Sequence, residues 1–221
     1  MTGCIVMDFD GTVVDTEEPL FRSWVELWDH QGAQLTAAEW QGTIGTDDGR
    51  DPWIDLQERL GRTLDPNLQA ARRARRDELL ESQGPRPGVV AWLNEAHALG
   101  ISVGIASSSP SDWVNRHLMR LGLRNLFSCV VCAGGSIPVK PDPMSYREAC
   151  DVLDADPCHS VAVEDSPHGL AAAVSAGLFT IAVPHGLTAN LDLAAADLRL
   201  DTLEVLTASD ALRMARHRPA E

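Results

Sequence analysis

The chain has 221 residues, 44% of them hydrophobic and 23% charged, with a formal net charge of −14. That length can enclose one sizeable core plus a smaller second unit, and the acidic balance excludes wholesale nucleic-acid binding while leaving room for a local cationic pocket. No run of about 18 apolar residues would make a membrane-spanning helix, and no basic region followed by a long apolar segment opens the chain, so the expectation is a cytoplasmic protein.

The first element is a short apolar run over residues 4–7, read as a strand buried on both faces. It ends in Asp8-Phe9-Asp10-Gly11-Thr12. Strand side chains alternate, so Asp8 and Asp10 reach one side while Phe9 turns away. Such a pair either caps a helix and solvates a loop or serves a hard cation and a phosphoryl group. Mg²⁺ takes oxygen ligands and is commonly shared between carboxylates and substrate phosphates. A carboxylate can also attack phosphorus and become an aspartyl phosphate, with the second Asp as proton donor to the leaving oxygen.

Residues 17–30 have a helical pattern, with Leu20, Trp24, Leu27 and Trp28 at three- and four-residue spacing. Thr36 with Glu39 forms a capping box, and further helices are expected over 40–44, 52–60 and 66–82. Residues 84–88, Gly-Pro-Arg-Pro-Gly, form a turn-rich linker. Arg72, Arg73, Arg75 and Arg76 read as the wet face of a helix, and Trp24, Trp28, Trp40 and Trp53 as the core of this helical segment.

After the linker the rhythm changes. Helices are expected over 89–99, 112–121, 144–153, 169–176 and 203–216, and strands over 101–106, 129–132, 160–163, 179–183 and, more weakly, near Leu198. This alternation predicts an α/β protein with a doubly wound parallel sheet. The five cysteines are Cys4, Cys129, Cys132, Cys150 and Cys158. Cys129 and Cys132 have zinc or redox spacing, but they lie in an apolar run with no second pair, so they read as core residues. An odd count fits a reducing compartment.

Three later stretches carry chemistry. Ser107, Ser108 and Ser109 end a strand and open onto a helix, which suits either a phosphate or an ordinary capped turn. Lys140 is the single lysine beside seventeen arginines. A lone Lys marks a place for a compact charge rather than a guanidinium, against the bland reading of a solvated loop residue. Glu164-Asp165 ends a third strand, and Ser166 reads as the N-cap of the helix that follows.

Asp8, Asp10, Ser107, Lys140 and Glu164-Asp165, in this order and each at a strand end or helix start, resemble the four motifs of the haloacid dehalogenase-like superfamily, in its β-phosphoglucomutase-like phosphatase branch. The resemblance covers almost the whole chain. It implies a core formed by 1–16 and 84–221 and a helical cap formed by 17–83, hinged at Thr16 and the linker. It also implies Mg²⁺ held by Asp8, the backbone carbonyl of Asp10 and Asp165, with Glu164 a direct or indirect partner. Asp8 would be the nucleophile, Asp10 the acid–base group and Lys140 the balancing charge. Ser107, Ser108, Ser109, Lys140 and the backbone at Gly11 would hold phosphate. In the cap, Thr46 and Arg50 face the site, where Arg50 either clamps a remote anionic group or is solvated.

One departure matters. Around Glu18, Phe21, Arg22 and Trp24 the chain resembles the mutase, which has a His where this chain has Leu20. Leucine cannot transfer a proton, so hydrolysis of a small phosphorylated metabolite is expected over isomerisation. The rival from another class is a regulator that binds the metabolite without turning it over. A monomer or weak homodimer is expected. His168 lies near the site in sequence and reads as a surface residue.

Overall fold

The computed structural model describes residues 2–41 and 51–218. Its centre is a six-stranded sheet built from β1 (Ile5–Met7), β2 (Val103–Ser107), β3 (Cys129–Cys132), β4 (Val161–Glu164), β5 (Phe179–Ala182) and β6 (Leu198–Arg199). The strands run in the order β3-β2-β1-β4-β5-β6, and every paired neighbour is parallel. β1 is flanked by β2 and β4, with Met7 in register with Ile105 and Val163. The chain leaves β1 toward one edge and later returns to build the other edge from β4. The crevice at the carboxyl ends of β1 and β4 is therefore the point where winding reverses, the usual ligand position in an open α/β sheet.

The helices are α1 (Glu17–His30), α2 (Ala37–Gln41), α3 (Pro52–Leu60), α4 (Asn67–Glu81), α5 (Val89–Leu99), α6 (Ser111–Arg120), α7 (Met144–Val152), α8 (Pro167–Ala176) and α9 (Ala208–Arg216). The period-two alternation of β1 divides the core into two layers. Ile5 and Met7 pack with Trp92 and Leu93 of α5 and Leu212 of α9. Cys4 and Val6 pack with Tyr146 and Cys150 of α7 and Ala173 of α8. Cys129 belongs to this second layer, where burial pushes its thiol up to about 11, as expected of a core cysteine.

Between β1 and β2, helices α1 to α4 gather around Trp24, Trp28, Trp40, Leu56 and Leu64. Trp28 and Leu56 are fully enclosed, each worth about 1.5–3 kcal/mol of burial. Local signals set the helix ends. Thr36 and Glu39 exchange the expected capping-box bonds, at 2.9 and 3.3 Å. That cap starts α2 at Ala37, three residues before the expected start at Trp40, and positions 42–44 lie outside the described residues. Asp51 accepts from the Trp53 N–H at α3, and Gly61 ends that helix at φ 62°. The final expected helix is split: a short turn over Leu203–Val205 precedes α9, which Thr207 caps. Among the described residues no helix is long and apolar enough to cross a membrane.

Candidate active site

β1 carries Asp8 into the crevice while Phe9 turns into the core; they are 7% and 0% exposed. The loop that follows is folded back by Gly11 N–H donating to Val14 O at 2.7 Å. Gly11 has φ +83°, and a Cβ there would lie 2.0 Å from Asp165 Oδ2. Its backbone N–H, expected to serve phosphate, is thus already used within the loop; what Gly11 supplies is room for Asp165. Gly169 does the same for Glu164, whose carboxylate comes within 1.9 Å of where its Cβ would be.

Asp8, Glu164 and Asp165 each bring a carboxylate oxygen into one group whose members lie within 4.8 Å of one another. Lys140 is the cation between them. Its Nζ is 2.5 Å from Asp8 Oδ1, 2.6 Å from Glu164 Oε1 and 3.5 Å from the Tyr146 hydroxyl. Burial works against this ammonium, but Asp8 and Glu164 outweigh it and hold it above the ordinary lysine range. Tyr146 donates to Glu164 Oε1 at 2.7 Å, and Ser166 Oγ lies 3.1 Å from Oε2. Both oxygens of Glu164 are therefore occupied. Asp165 accepts no side-chain hydrogen bond among the described residues. Burial, then the charges of Asp8 and Glu164, raise its carboxyl well above 3.8; Asp8 is raised as well, burial first, with Lys140 opposing.

The cluster is short of positive charge, and glycine keeps a niche open beside Asp165. Oxygen donors in a niche of this charge fit a hard divalent cation such as Mg²⁺. Glu164, already saturated by donors, fits as the residue that steadies Lys140 and the Asp165 loop.

The serines divide their tasks. Ser107, 1% exposed, accepts from the Ser109 N–H at 3.0 Å. Ser108 Oγ accepts from the Lys140 N–H at 3.1 Å, and Ser109 Oγ donates to Asp10 Oδ2 at 2.6 Å. The Ser109 hydroxyl proton, expected to face phosphate, is thus engaged with Asp10, whereas Ser108, which lines the cleft, only accepts here and keeps its own hydroxyl proton available to a phosphate.

These groups line a cleft of about 620 Å³, walled on the α1 side by Thr16, Glu17 and Leu20 and on the α4 side by Arg76. Burial and the nearby Asp10 charge push Glu17 up to about 7. His168, expected at the surface, lines the same cleft. Thr46 and Arg50 lie outside the described residues.

Several site residues carry no motif signal. Trp113 of α6 donates its indole N–H to Asp10 Oδ1 at 2.9 Å. Arg86, in the linker, is buried and donates to the carbonyls of Gly11, Val183 and Pro184, pinning the loop after β1 to the strand end of β5. Tyr146 is the chain's single tyrosine, a rarity that could have marked it as Lys140 was marked. The arginines of α4 are not all wet. Arg72 is 9% exposed, lies 4.3 Å from the Trp24 ring centroid and is lowered by burial to about 10. Long stems cover apolar surface while their heads find a ring or a partner.

Residues 5–183 match the haloacid dehalogenase-like hydrolase family model. The chain belongs to the haloacid dehalogenase-like hydrolase family. YhcW of Bacillus subtilis is 36% identical over 92% of this chain and 93% of its own length. Hexitol phosphatase B of Escherichia coli is 30% identical over 94% and 95% of the two chains. Among solved structures, CbbY from Rhodobacter sphaeroides in complex with phosphate has a TM-score of 0.77 at 27% identity, over 96% of this chain and 99% of that one. A variant of CbbY has been crystallised with xylulose-(1,5)bisphosphate.

Proposed function

We propose that this protein is a Mg²⁺-dependent phosphatase that hydrolyses a small phosphomonoester, a sugar or other metabolite phosphate, through an aspartyl phosphate on Asp8. The observation that carries the proposal is the group of three buried carboxylates within 4.8 Å served by one lysine. Relatives support the substrate class: hexitol phosphatase B is named for a sugar-alcohol phosphate, and a CbbY variant was crystallised with a sugar bisphosphate.

Asp8, Asp165 and the backbone carbonyl of Asp10 would hold Mg²⁺, with Glu164 steadying them from behind. When bound, the ion supplies positive charge to the phosphoryl oxygens and to the nucleophilic carboxylate. Asp8 attacks phosphorus in line with the departing alcohol. Lys140 acts as a point charge beside Asp8 and the transferring group, where positioning and electrostatics carry most of phosphoryl transfer. Ser107, at the end of β2 and lining the cleft, contributes a hydroxyl donor. Asp10 gives its proton to the leaving oxygen, then takes one from the water that cleaves the acyl phosphate.

Residues 17–83 act as a cap over the residues of 1–16 and 84–221, closing the cleft against bulk water. Arg86 and the Val14–Pro85 bridge knit the two connections at the cap's base. Water rather than a sugar is the acceptor, since Leu20 lines the cleft and its hydrocarbon side chain cannot move a proton. The test is phosphate release over a panel of sugar, polyol and other metabolite phosphates, with β-glucose 1-phosphate followed separately for conversion to the 6-phosphate. Release that requires Mg²⁺ supports the proposal. Conversion without release would make the protein a mutase, and metabolite binding without turnover would make it a regulator.

A further inference from the structure

Asp10 sits in a ring of donors that extends beyond the family motifs. Trp113 Nε1–H reaches its Oδ1 at 2.9 Å and Ser109 Oγ its Oδ2 at 2.6 Å, with Ser107 Oγ farther off at 3.5 Å. The two close partners differ in kind. An indole N–H can only donate, whereas a hydroxyl donates or accepts. A carboxyl group that is to deliver a proton must first carry it. An oxygen that accepts from the indole N–H is better suited to be the carbonyl than the hydroxyl of the acid, because a protonated oxygen is the poorer acceptor. The proton is left to Oδ2, where the Ser109 hydroxyl can turn round and accept it.

The same indole has a second neighbour. Arg76 of α4 places its guanidinium 4.8 Å from the ring centroid, and Arg116 of α6 lies at 5.2 Å. His117 meets the ring edge-on at 4.3 Å and 67°. Arg76 is held by Asp77 at 2.6 Å and lines the cleft. One side chain therefore touches the acid–base carboxyl on one side and the inserted helices on the other.

We propose that Trp113 is the positioning residue for Asp10: it fixes the carboxyl's orientation and confines the transferable proton to Oδ2, and Arg76, stacked on the indole, ties that orientation to the docking of α4 on the core. The inference rests on the hydrolytic reading above. In the first step Oδ2 gives its proton to the leaving oxygen as the phosphorus–oxygen ester bond breaks and the Asp8–phosphorus bond forms. In the second, Oδ2 takes a proton from water as its oxygen bonds to phosphorus and Asp8 is freed. Water is the only co-reactant.

Leaving-group dependence tests this. An alkoxide needs the proton, whereas para-nitrophenolate departs without it. Trp113→Phe keeps a ring and removes the N–H. The measured quantity is kcat/KM with Mg²⁺, which covers steps only through phosphoryl transfer, for an alkyl phosphomonoester and for para-nitrophenyl phosphate. A general acid contributes about 10²–10⁴-fold, and misplacing it should forfeit part of that. The expected loss is about 10–100-fold on the alkyl ester and no more than about threefold on the aryl ester. Asp10→Asn should show the same split, larger. Arg76→Ala should cost less in the Trp113→Phe background than in wild type, because Arg76 acts on Asp10 through the indole N–H that Phe lacks. Trp113→Leu, whose side chain has no donor at all, repeats the test if the Phe variant melts early. Equal losses on both esters, or no loss on the alkyl ester in a folded variant, would overturn the proposal while leaving the phosphatase reading intact. Failure of wild type to release phosphate from either ester would overturn both.

Discussion

Lys140 offers the sharpest perturbation. Its Nζ is the cation shared by Asp8 and Glu164, at 2.5 and 2.6 Å, and it is 8% exposed. Lys140→Met preserves most of the volume and removes the charge, so the carboxylates remain buried without it. Removing one partner from a buried pair costs about 3–5 kcal/mol. For a chain of this size each kcal/mol moves the melting temperature by about 2–4 °C, so the fall should be about 6–20 °C. Melting should be followed by circular dichroism in EDTA near neutral pH, so that no divalent cation replaces the lost charge. Lys140→Arg should not restore the wild-type melting temperature, because a planar guanidinium does not fit a niche shaped for a compact ammonium. A Lys140→Met protein melting within about 2 °C of wild type would refute the reasoning, since that is less than 1 kcal/mol.

Three further outcomes follow from the same electrostatics and geometry. Burial raises Asp8 and Asp165 above 3.8 in the folded chain. Between 3.8 and those raised values the folded protein holds protons that the unfolded chain has released, so the metal-free protein should lose stability as pH rises through that window. Mg²⁺ should therefore stabilise the fold more at about pH 8 than at about pH 5, with a gain of about 2.7 kcal/mol at the higher pH when it is in hundredfold excess over its Kd there; equal shifts in melting temperature at the two pH values would contradict this. Gly11→Ala should weaken Mg²⁺ binding measured by calorimetry more than it lowers the melting temperature, because the new methyl would stand 2.0 Å from Asp165 Oδ2. Glu17, pushed up to about 7, is neutral below that pH and negative above it. KM for a phosphomonoester should rise through pH 7 in wild type, as like charge enters the cleft, and Glu17→Gln should flatten that rise.

What was legible in the sequence follows from where each residue sits. Asp8, Ser107 and Glu164 lie at or just beyond the carboxyl ends of three neighbouring strands, so period-two alternation and the parallel order alone bring them to one edge. Lys140 was betrayed by its rarity. Trp113 was not legible, because it lies six residues past Ser107 on a helix and its partner Asp10 is 103 positions away. Only the tertiary arrangement aims that indole at a carboxylate. The arginines of α4 misled for a related reason. Helical periodicity assigns charged residues to solvent, but Arg72 lies over Trp24 and Arg76 over Trp113, contacts that depend on neighbouring helices. Arg86 was hidden inside a linker read only as a turn.

Trapping the covalent intermediate tests the proposed chemistry most directly. Wild-type protein is mixed with Mg²⁺ and a turned-over phosphomonoester labelled in its phosphate, quenched in acid within one turnover, digested and mapped by mass spectrometry. The label should be found on the peptide containing Asp8, should be absent in Asp8→Asn, and should require Mg²⁺. Phosphate released without any label on Asp8, or label retained in Asp8→Asn, would contradict a mechanism that passes through an aspartyl phosphate at this residue.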